Sequence, residues 1–561
     1  MHLVLHRVDG VVTATPLTDA GESAGEPTRV DDPRLPAFVA AHDGPDVRWV
    51  WDDTARWYPA VLTAGGRVGR CVDLRLCRRI LRGALAARGS ALAQLPTDTW
   101  DAPGQEARPT RPTQASLFDD ALFTVAPADD AADPVAEFRR QLDAVATSTT
   151  PGALRLLTTA ESAGALVAAE ILHAGLPWRA DVHERLLEDA LGPRVPAGVR
   201  PRRLEELAVV VRGHLGDPGL NPDSPTDVLR SLRAAGLMVS STRKWELQEL
   251  EHPVIAPLLE YKRLSRLLTA NGWTWLDEWV QDGRFHPKYV VGGVVTGRWA
   301  ADGGGAMQLP KTVRGAVVAD DGWAFVVADA AQLEPRVLAA MAGDRAMATA
   351  GDGRDLYDGV VASGAVETRQ QAKGAMLGAM YGATQGDAGR LVPRLARAFP
   401  TALGLVDRAA RAGERGEPVT TLLGRTSPVP DEAWFAARNR AWSVDGTTAQ
   451  QRAVESRARS WGRFTRNFVV QGTAAEWALA WMGSLRTRLA ARFPGPVTAG
   501  PHLVFFVHDE IVVHTPVEHA DFVAEQVRAA AVEAGRLLFR DFPVVFPLSV
   551  STVRDYGSAK D

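Results

Sequence analysis

The chain has 561 residues, too many for a single hydrophobic core, so it should divide into two or more domains. With 46% apolar residues its composition is that of a globular protein, which excludes wholesale disorder. A formal net charge of −4 excludes a binder coated in positive charge, yet leaves room for a local basic cleft. Cys71 and Cys77 have no metal-site spacing and read as reduced structural thiols. The first residues, Met-His-Leu-Val-Leu-His-Arg-Val-Asp, meet charge before a signal core could form, and no apolar run approaches a membrane span. A soluble intracellular protein with no membrane partner is expected.

In chain order, Leu3 to Val12 and Val47 to Trp51 read as short strands, and Asp73 to Arg88 as an amphipathic helix. From Trp100 to about Val135 the chain is rich in Pro, Thr, Ala, Asp and Gly without periodicity, which marks a linker. Residues 145–265 are helical in pattern. Glu161 to Ala174 is apolar at helical spacing and stops at Gly175. Asn221-Pro-Asp-Ser-Pro225 signals a turn and a helix start, after which Val228, Leu229, Leu232 and Ala235 share one face. The run Gly303-Gly304-Gly305 lacks the Gly-Lys-Ser/Thr of a phosphate loop and reads as a flexible turn.

Two apolar strands then carry acids. Ala324 to Ala328 ends at Asp329, with Gln332, Glu334 and Arg336 just behind it. Far downstream, Leu503 to Thr515 is a hairpin whose tip is His508-Asp509-Glu510. A carboxylate beside buried strands costs several kcal/mol unless a partner offsets it, and adjacent acids repel, so the site calls for a cation. Acids on two separate strand ends are what a two-metal phosphoryl-transfer site requires.

Between them, Arg369, Lys373, Leu377 and Tyr381 recur every four residues and form a drifting stripe on one helix face. The chain uses arginine 57 times and lysine six times, so a lysine here suggests a need for a titratable ammonium. Seven arginines between Phe435 and Arg466, against Asp445 and Glu455 alone, suit either a solvated helix face or a contact to a phosphate backbone. Arg463, Asn467 and Gln471 again step by four into Gly472-Thr473-Ala474-Ala475.

These motifs resemble family A DNA polymerases of the bacterial polymerase I type. Asp329 with Gln332, Glu334 and Arg336 is similar to their first palm motif, and His508-Asp509-Glu510 to their third. Arg369, Lys373, Tyr381 and Gly382 fall at the spacing of their fingers helix. The resemblance runs from about 145 to the C-terminus. It implies an α/β multidomain protein, with the right-hand fold of an antiparallel palm sheet and helical fingers and thumb, behind a small α/β ribonuclease-H-like domain. The implied division is an exonuclease-like domain at 1–99, a linker at 100–144, thumb at 145–265, palm at 266–345, fingers at 346–460 and palm again at 461–561.

The resemblance also implies roles. Asp329 and Asp509 would bind two Mg²⁺ ions, with Mn²⁺ able to substitute, and Glu510 would support them. Lys373 would hold the triphosphate and donate a proton to departing pyrophosphate. Arg369, Gln332 and Leu377 would also meet the nucleotide, and Tyr381 with Glu334 would fill the space beside the sugar's 2′ position, selecting deoxynucleotides. Arg298, Gln308, Arg463, Asn467, Gln471 and His508 would follow primer–template DNA. Ser241 to Lys244 and Pro257 to Arg263 resemble thumb segments that hold duplex product. The partners would be primer–template DNA and deoxynucleoside triphosphates, and the protein a cytoplasmic, nucleoid-associated monomer of bacterial type.

Relatives carry a proofreading nuclease where residues 1–99 lie, but the first strand offers only Asp9. Asp52, Asp53 and Asp73 read as surface acids, so proofreading is expected to be lost, and no 5′-flap nuclease is expected. The sequence departs from the family at Ala330, Ala331, Pro335, Tyr357 and Leu377, none of which is a metal ligand. Two rival readings remain: a two-metal nuclease that has retained 3′–5′ exonuclease activity, and a non-catalytic, polymerase-derived DNA-binding protein.

Overall fold

A computed structural model describes residues 1–102, 132–353, 355–382 and 386–560. Two compact units emerge. The first comprises Met1–Ala174, Lys288–Gly303 and Val326–Thr552, and the second Gly175–Pro287, Gly304–Phe325 and Val553–Asp561. The expected thumb boundary at 145 thus falls inside the first unit.

The first unit opens with a five-stranded sheet of β1 (His2–Val8), β2 (Val11–Leu17), β3 (Thr28–Asp31), β4 (Arg48–Trp51) and β5 (Cys71–Asp73), in the order β3-β2-β1-β4-β5. β1 runs antiparallel to β2, whereas β1, β4 and β5 run parallel. The single strand expected from Leu3 to Val12 is a hairpin instead. Asp9 (φ 49°) and Gly10 (φ 77°) both take left-handed backbone, the two-residue turn that an Asp-Gly pair favours. Helices α1 (Thr54–Thr63) and α2 (Leu74–Gly83) start directly after β4 and β5, capped by the side chains of Asp53 and Asp73. Trp49, Trp51, Trp57 and Tyr58 fill the core beside this sheet.

Of the expected linker, residues 103–131 lie outside the described residues, and a helix, Pro134–Ala146, occupies its end. α3 (Pro151–Ala174) follows and stops at Gly175 (φ 67°), as the apolar pattern implied. The second sheet contains β6 (Trp323–Ala330), β7 (His502–Val507), β8 (Glu510–Pro516) and β9 (Leu548–Val553), in the order β7-β8-β6-β9. Val504, Phe505, Ile511, Val512 and Val513 are fully buried, which explains the unbroken apolar runs. α4 (Leu333–Ala342), α5 (Leu356–Ala362), α6 (Arg369–Tyr381), the 45-residue α7 (Thr448–Arg492) and α8 (Ala520–Phe539) complete the part of this unit that bears on the site. Trp481 on α7 donates its indole N–H to the Val527 carbonyl of α8 at 3.1 Å, satisfying a polar atom inside the helix contact.

The second unit is mainly helical. Ser224 caps the helix Pro225–Ala234 by accepting from the Asp227 N–H at 3.2 Å, as the Ser-Pro signal implied. Val228 and Leu232 are buried on that helix, but Ala235 is its exposed C-cap and not part of the apolar face. Trp178, His183, Trp275 and Phe285 pack ring against ring, and burial holds the His183 imidazole down at about 4. Lys262 donates to Thr242 Oγ1 at 2.9 Å, joining the two segments expected to hold duplex.

Candidate active site

Asp329 is the penultimate residue of β6, half-buried, and Asp509 lies in the two-residue turn between β7 and β8, where Val507 pairs with Glu510. The N–H of Ala330 donates to the carbonyl of Asp509 at 3.0 Å. Two acids 180 positions apart in the sequence are therefore carried by adjacent strands at one sheet end. The turn itself is His508 (φ 57°) and Asp509. Glu510 belongs to the strand and is 2% exposed, so the expected three-residue tip is shorter by one.

Among the described residues no group of three or more His, Cys, Asp or Glu side chains gathers to hold a metal. The donor set fits a hard divalent ion all the same. Mg²⁺ is typically held by one or two carboxylates and completes its shell with water and substrate phosphate.

Behind Asp329 the chain turns sharply at Gln332 (φ 50°) into α4. Pro335 is the third residue of that helix, so its missing N–H falls in the first turn and costs no helical bond. Glu334 joins two elements: Oε2 accepts the Tyr381 hydroxyl at 2.6 Å, and Oε1 accepts the Arg298 guanidinium. Burial and the Glu334 carboxylate raise the Tyr381 phenol to about 12, and Gln471 also hydrogen-bonds it. The expected Tyr381–Glu334 pair is therefore in contact. Arg298 contacts it too, a role not expected from sequence. His508 lies within the field of Arg298, Glu510 and Glu334. Burial, helped by Arg298, lowers its pKa and favours the neutral ring.

α6 begins at a capping box, Thr368 with Gln371, and buries Ala372, Ala375, Met376, Ala379 and Met380. The opposite stripe faces solvent: Arg369 and Lys373 are exposed, Leu377 is half-buried, and Tyr381 is 37% exposed. Lys373 forms no ion pair among the described residues, whereas Arg369 reaches Asp355 at 2.7 Å and lies over the Tyr357 ring at 5.6 Å. Asp355 also accepts from Gln332 Nε2 at 2.8 Å, while the Gln332 carbonyl accepts from Arg336 and the Leu356 N–H. Gln332, expected to meet nucleotide, is thus engaged as a strut between α4 and α5. In the sequence Asp355 has only the signature of an ordinary helix cap.

On α7, Arg466 bonds the Ala379 carbonyl of α6 and Asp407, Arg463 donates to Ser460 Oγ and Arg459 pairs with Glu455, while Arg438, on the helix Glu432–Ala441, bonds the Arg415 carbonyl, so four of the seven clustered arginines have internal partners. Arg440, Arg452, Arg457, Arg459 and Arg463 are exposed. Asn467 Oδ1 is buried without a hydrogen-bond partner among the described residues. Gly472 lets the loop at Thr421 approach, since a Cβ there would lie 2.4 Å from Thr421 Cγ2, and Thr473 and Glu476 accept the Leu422 and Leu423 N–H groups. Gln308 belongs to the second unit, in a 3₁₀ turn, and its side chain lies outside those described.

The possible nuclease remnants are structural. Asp52 accepts from the Trp57 indole at 2.5 Å and Arg56 at 3.2 Å, and Asp53 caps α1. Asp73, expected at the surface, is 2% exposed, accepts from Thr54 at 2.8 Å, and is raised by burial, with Asp53 adding to it, to about 7.

The two strand-end acids thus stand at one end of the second sheet, and α6 presents arginine, lysine and tyrosine along one stripe. The chain belongs to DNA polymerase family A, whose pattern matches residues 230–556. It is 28% identical over 405 residues to DNA polymerase I of Chloroflexus aurantiacus, covering 66% of this chain and 38% of that protein. It is 26% identical over 440 residues to the thermostable DNA polymerase I of Thermus thermophilus, covering 72% of this chain and 47% of that protein. The chain thus spans less than half the length of these relatives. The fold is that of the POL domain of Pol1 from M. smegmatis, solved in complex with DNA primer-template and dNTP. The TM-score is 0.66 at 17% identity, over 100% of this chain and 96% of that one. No helix among the described residues is long and apolar enough to cross a membrane.

Proposed function

We propose that this chain is a DNA-templated DNA polymerase that adds deoxynucleotides to a primer 3′-end. The observation that carries the reading is the Ala330–Asp509 hydrogen bond, which sets both acids on neighbouring strands. Asp329 and Asp509 would hold two Mg²⁺ ions, with Mn²⁺ able to substitute, and ions so held neutralise charge on the attacking and leaving oxygens. The primer 3′-hydroxyl gives up its proton to solvent as its oxygen attacks the α-phosphorus, the α–β P–O bond breaks, and pyrophosphate departs. Lys373 binds the triphosphate and gives its proton to the departing pyrophosphate, and Arg369 takes the outer phosphates. Glu334 and Tyr381, hydrogen-bonded to each other, occupy the volume a ribose 2′-hydroxyl would need. Glu510 supports the acids, and neutral His508 lies near the primer terminus. Arg298, Gln308, Arg463, Asn467 and Gln471 follow the duplex, where contacts to groove acceptors test pair shape more than sequence.

In this reading residues 1–99 are an exonuclease-like domain without proofreading, 100–144 a linker, 145–265 the thumb, 346–460 the fingers, and 266–345 with 461–561 the palm. The strand order β3-β2-β1-β4-β5 and the structural engagement of Asp52, Asp53 and Asp73 support the first of these. The protein acts as a cytoplasmic, nucleoid-associated monomer.

Primer extension with Mg²⁺ and four deoxynucleotides is the test. Wild type should extend, and Asp509→Ala should abolish extension while retaining DNA binding. If wild type fails across varied metals yet binds primer–template, the chain is a non-catalytic binder. Trimming of a mismatched 3′-end without nucleotides would instead favour a nuclease.

A further inference from the structure

A buried ion pair joins α3 to the loop at Thr421. Glu161 on α3 is fully buried, and its Oε2 accepts from Arg425 Nη2 at 2.8 Å, across 264 positions of sequence. A pair so far from water is costly to build, and losing one partner strands the other charge, so its presence calls for a reason beyond stability. Each side chain also carries a buried polar atom, Glu161 Oε1 and Arg425 Nε, that has no hydrogen-bond partner among the described residues.

Both of those atoms press on one turn. Strands Tyr289–Val290 and Ala300–Ala301 pair antiparallel. Between them the Gly297 N–H donates to the Val294 carbonyl at 2.7 Å, and the Val294 N–H to the Arg298 carbonyl at 3.1 Å. A Cβ on Gly292 (φ 58°) would collide with Glu161 Oε1, and one on Gly297 (φ 87°) would lie 2.5 Å from Arg425 Nε. Only glycine admits both this backbone and so close an approach. Two further contacts complete the cradle. Arg79 of α2 donates to the Val291 carbonyl at 3.0 Å, and a Cβ on Gly472 of α7 would lie 3.1 Å from the Thr296 carbonyl oxygen. The turn ends in Arg298, the residue whose guanidinium holds Glu334.

We propose that Glu161, Arg425 and Arg79 are positioning residues: they fix the turn at 292–297, and through it the Arg298 guanidinium, so that Glu334 and Tyr381 stand at a set place beside the incoming sugar. The inference rests on the polymerase reading and deepens it. A helix of the N-terminal sheet, expected to have lost proofreading, thereby acts on synthesis through one arginine.

Single-nucleotide primer extension in a mutant cycle with Arg298→Ala tests it. In the otherwise wild-type chain, Glu161→Gln should lower kcat/KM for a correct deoxynucleotide by about ten- to hundred-fold, the scale for displacing a positioned group by roughly 1 Å, and Arg79→Ala by about five-fold. In the Arg298→Ala background each should change kcat/KM by less than about twofold, because the group through which it acts is gone. The preference for deoxynucleotide over ribonucleotide should follow the same pattern, falling in the first background and not in the second. A role in stability alone would give equal losses in both. Should Glu161→Gln misfold by circular dichroism, Arg79→Ala, at an exposed residue, carries the same comparison. Losses that add across the two backgrounds, or substitutions without effect, would overturn the positioning role while wild type still extends. A wild type that binds primer–template and does not extend would instead sink the polymerase reading, and the positioning role with it.

Discussion

Lys373 lies two turns before Tyr381 on the exposed stripe of α6, and the work proposed for it needs a proton as well as a charge. Arginine keeps the charge but does not give up a proton near neutral pH. Lys373→Arg should therefore leave the nucleotide KM within a few-fold and slow the single-turnover rate by roughly 10²–10⁴, the usual worth of a positioned proton donor. Rapid-quench kinetics checks this; an Arg variant with wild-type chemistry would reduce Lys373 to a phosphate anchor. Glu334 differs in that its volume matters most. Glu334→Ala should raise ribonucleotide incorporation relative to deoxynucleotide by roughly ten- to hundred-fold, the range one side chain's bulk can discriminate, as read from competing-nucleotide extension. Both residues were legible because motif spacing alone singled them out. Arg298 and Asp355 were not fully so. The bond from Arg298 to Glu334 joins positions 36 apart, and Asp355 bridges Gln332 to Arg369, contacts that no local period encodes.

Between elements, Asp355 links the start of α4 to α6 while capping α5 through the Tyr357 and Asp358 N–H groups. Asparagine keeps a helix cap and a bond to Gln332 but loses the ion pair with Arg369. Arg369 is 53% exposed, so solvent screens that pair and it adds little to stability. Asp355→Asn should raise the nucleotide KM by about two- to five-fold with kcat little changed, because the guanidinium loses its preset position. Steady-state titration of nucleotide decides the matter: a lower KM would mean that Asp355 competes with phosphate for Arg369. Elements were legible where caps and apolar periods agreed, as at Ser224-Pro225 and Gly175, whereas the helix expected from Asp73 to Arg88 runs only from Leu74 to Gly83. They were misread where composition dominated: Asp9-Gly10 was absorbed into a strand although it is a turn pair, and the helix Pro134–Ala146 was hidden in a Pro- and Ala-rich run.

Across the whole chain, buried acids of opposite behaviour shape the pH dependence of stability. Glu170 is pushed up by burial, but Arg486 and Arg67 outweigh this and hold it at about 2, so its contribution is complete above the unfolded value near 4.5 and is lost as pH falls towards 2. Glu476 and Asp73 are both raised by burial to about 7. For them the folded state binds the proton more tightly than the unfolded chain does. Stability is therefore greatest below the unfolded values near 4 and declines as pH rises to about 7, by on the order of 3 kcal/mol for each group. Glu476→Gln should remove one share of that decline and Asp73→Asn the other, since both amides keep the shape and one acceptor for the Leu423 and Leu76 N–H groups. The double variant should melt at nearly the same temperature at about pH 5 and about pH 8, where wild type should melt several degrees lower at the higher pH. Scanning calorimetry at the two pH values measures the difference. A wild type whose midpoint rises over that interval would mean that both carboxyls are ionised in the native protein at pH 5, with the neighbouring hydrogen bonds outweighing burial.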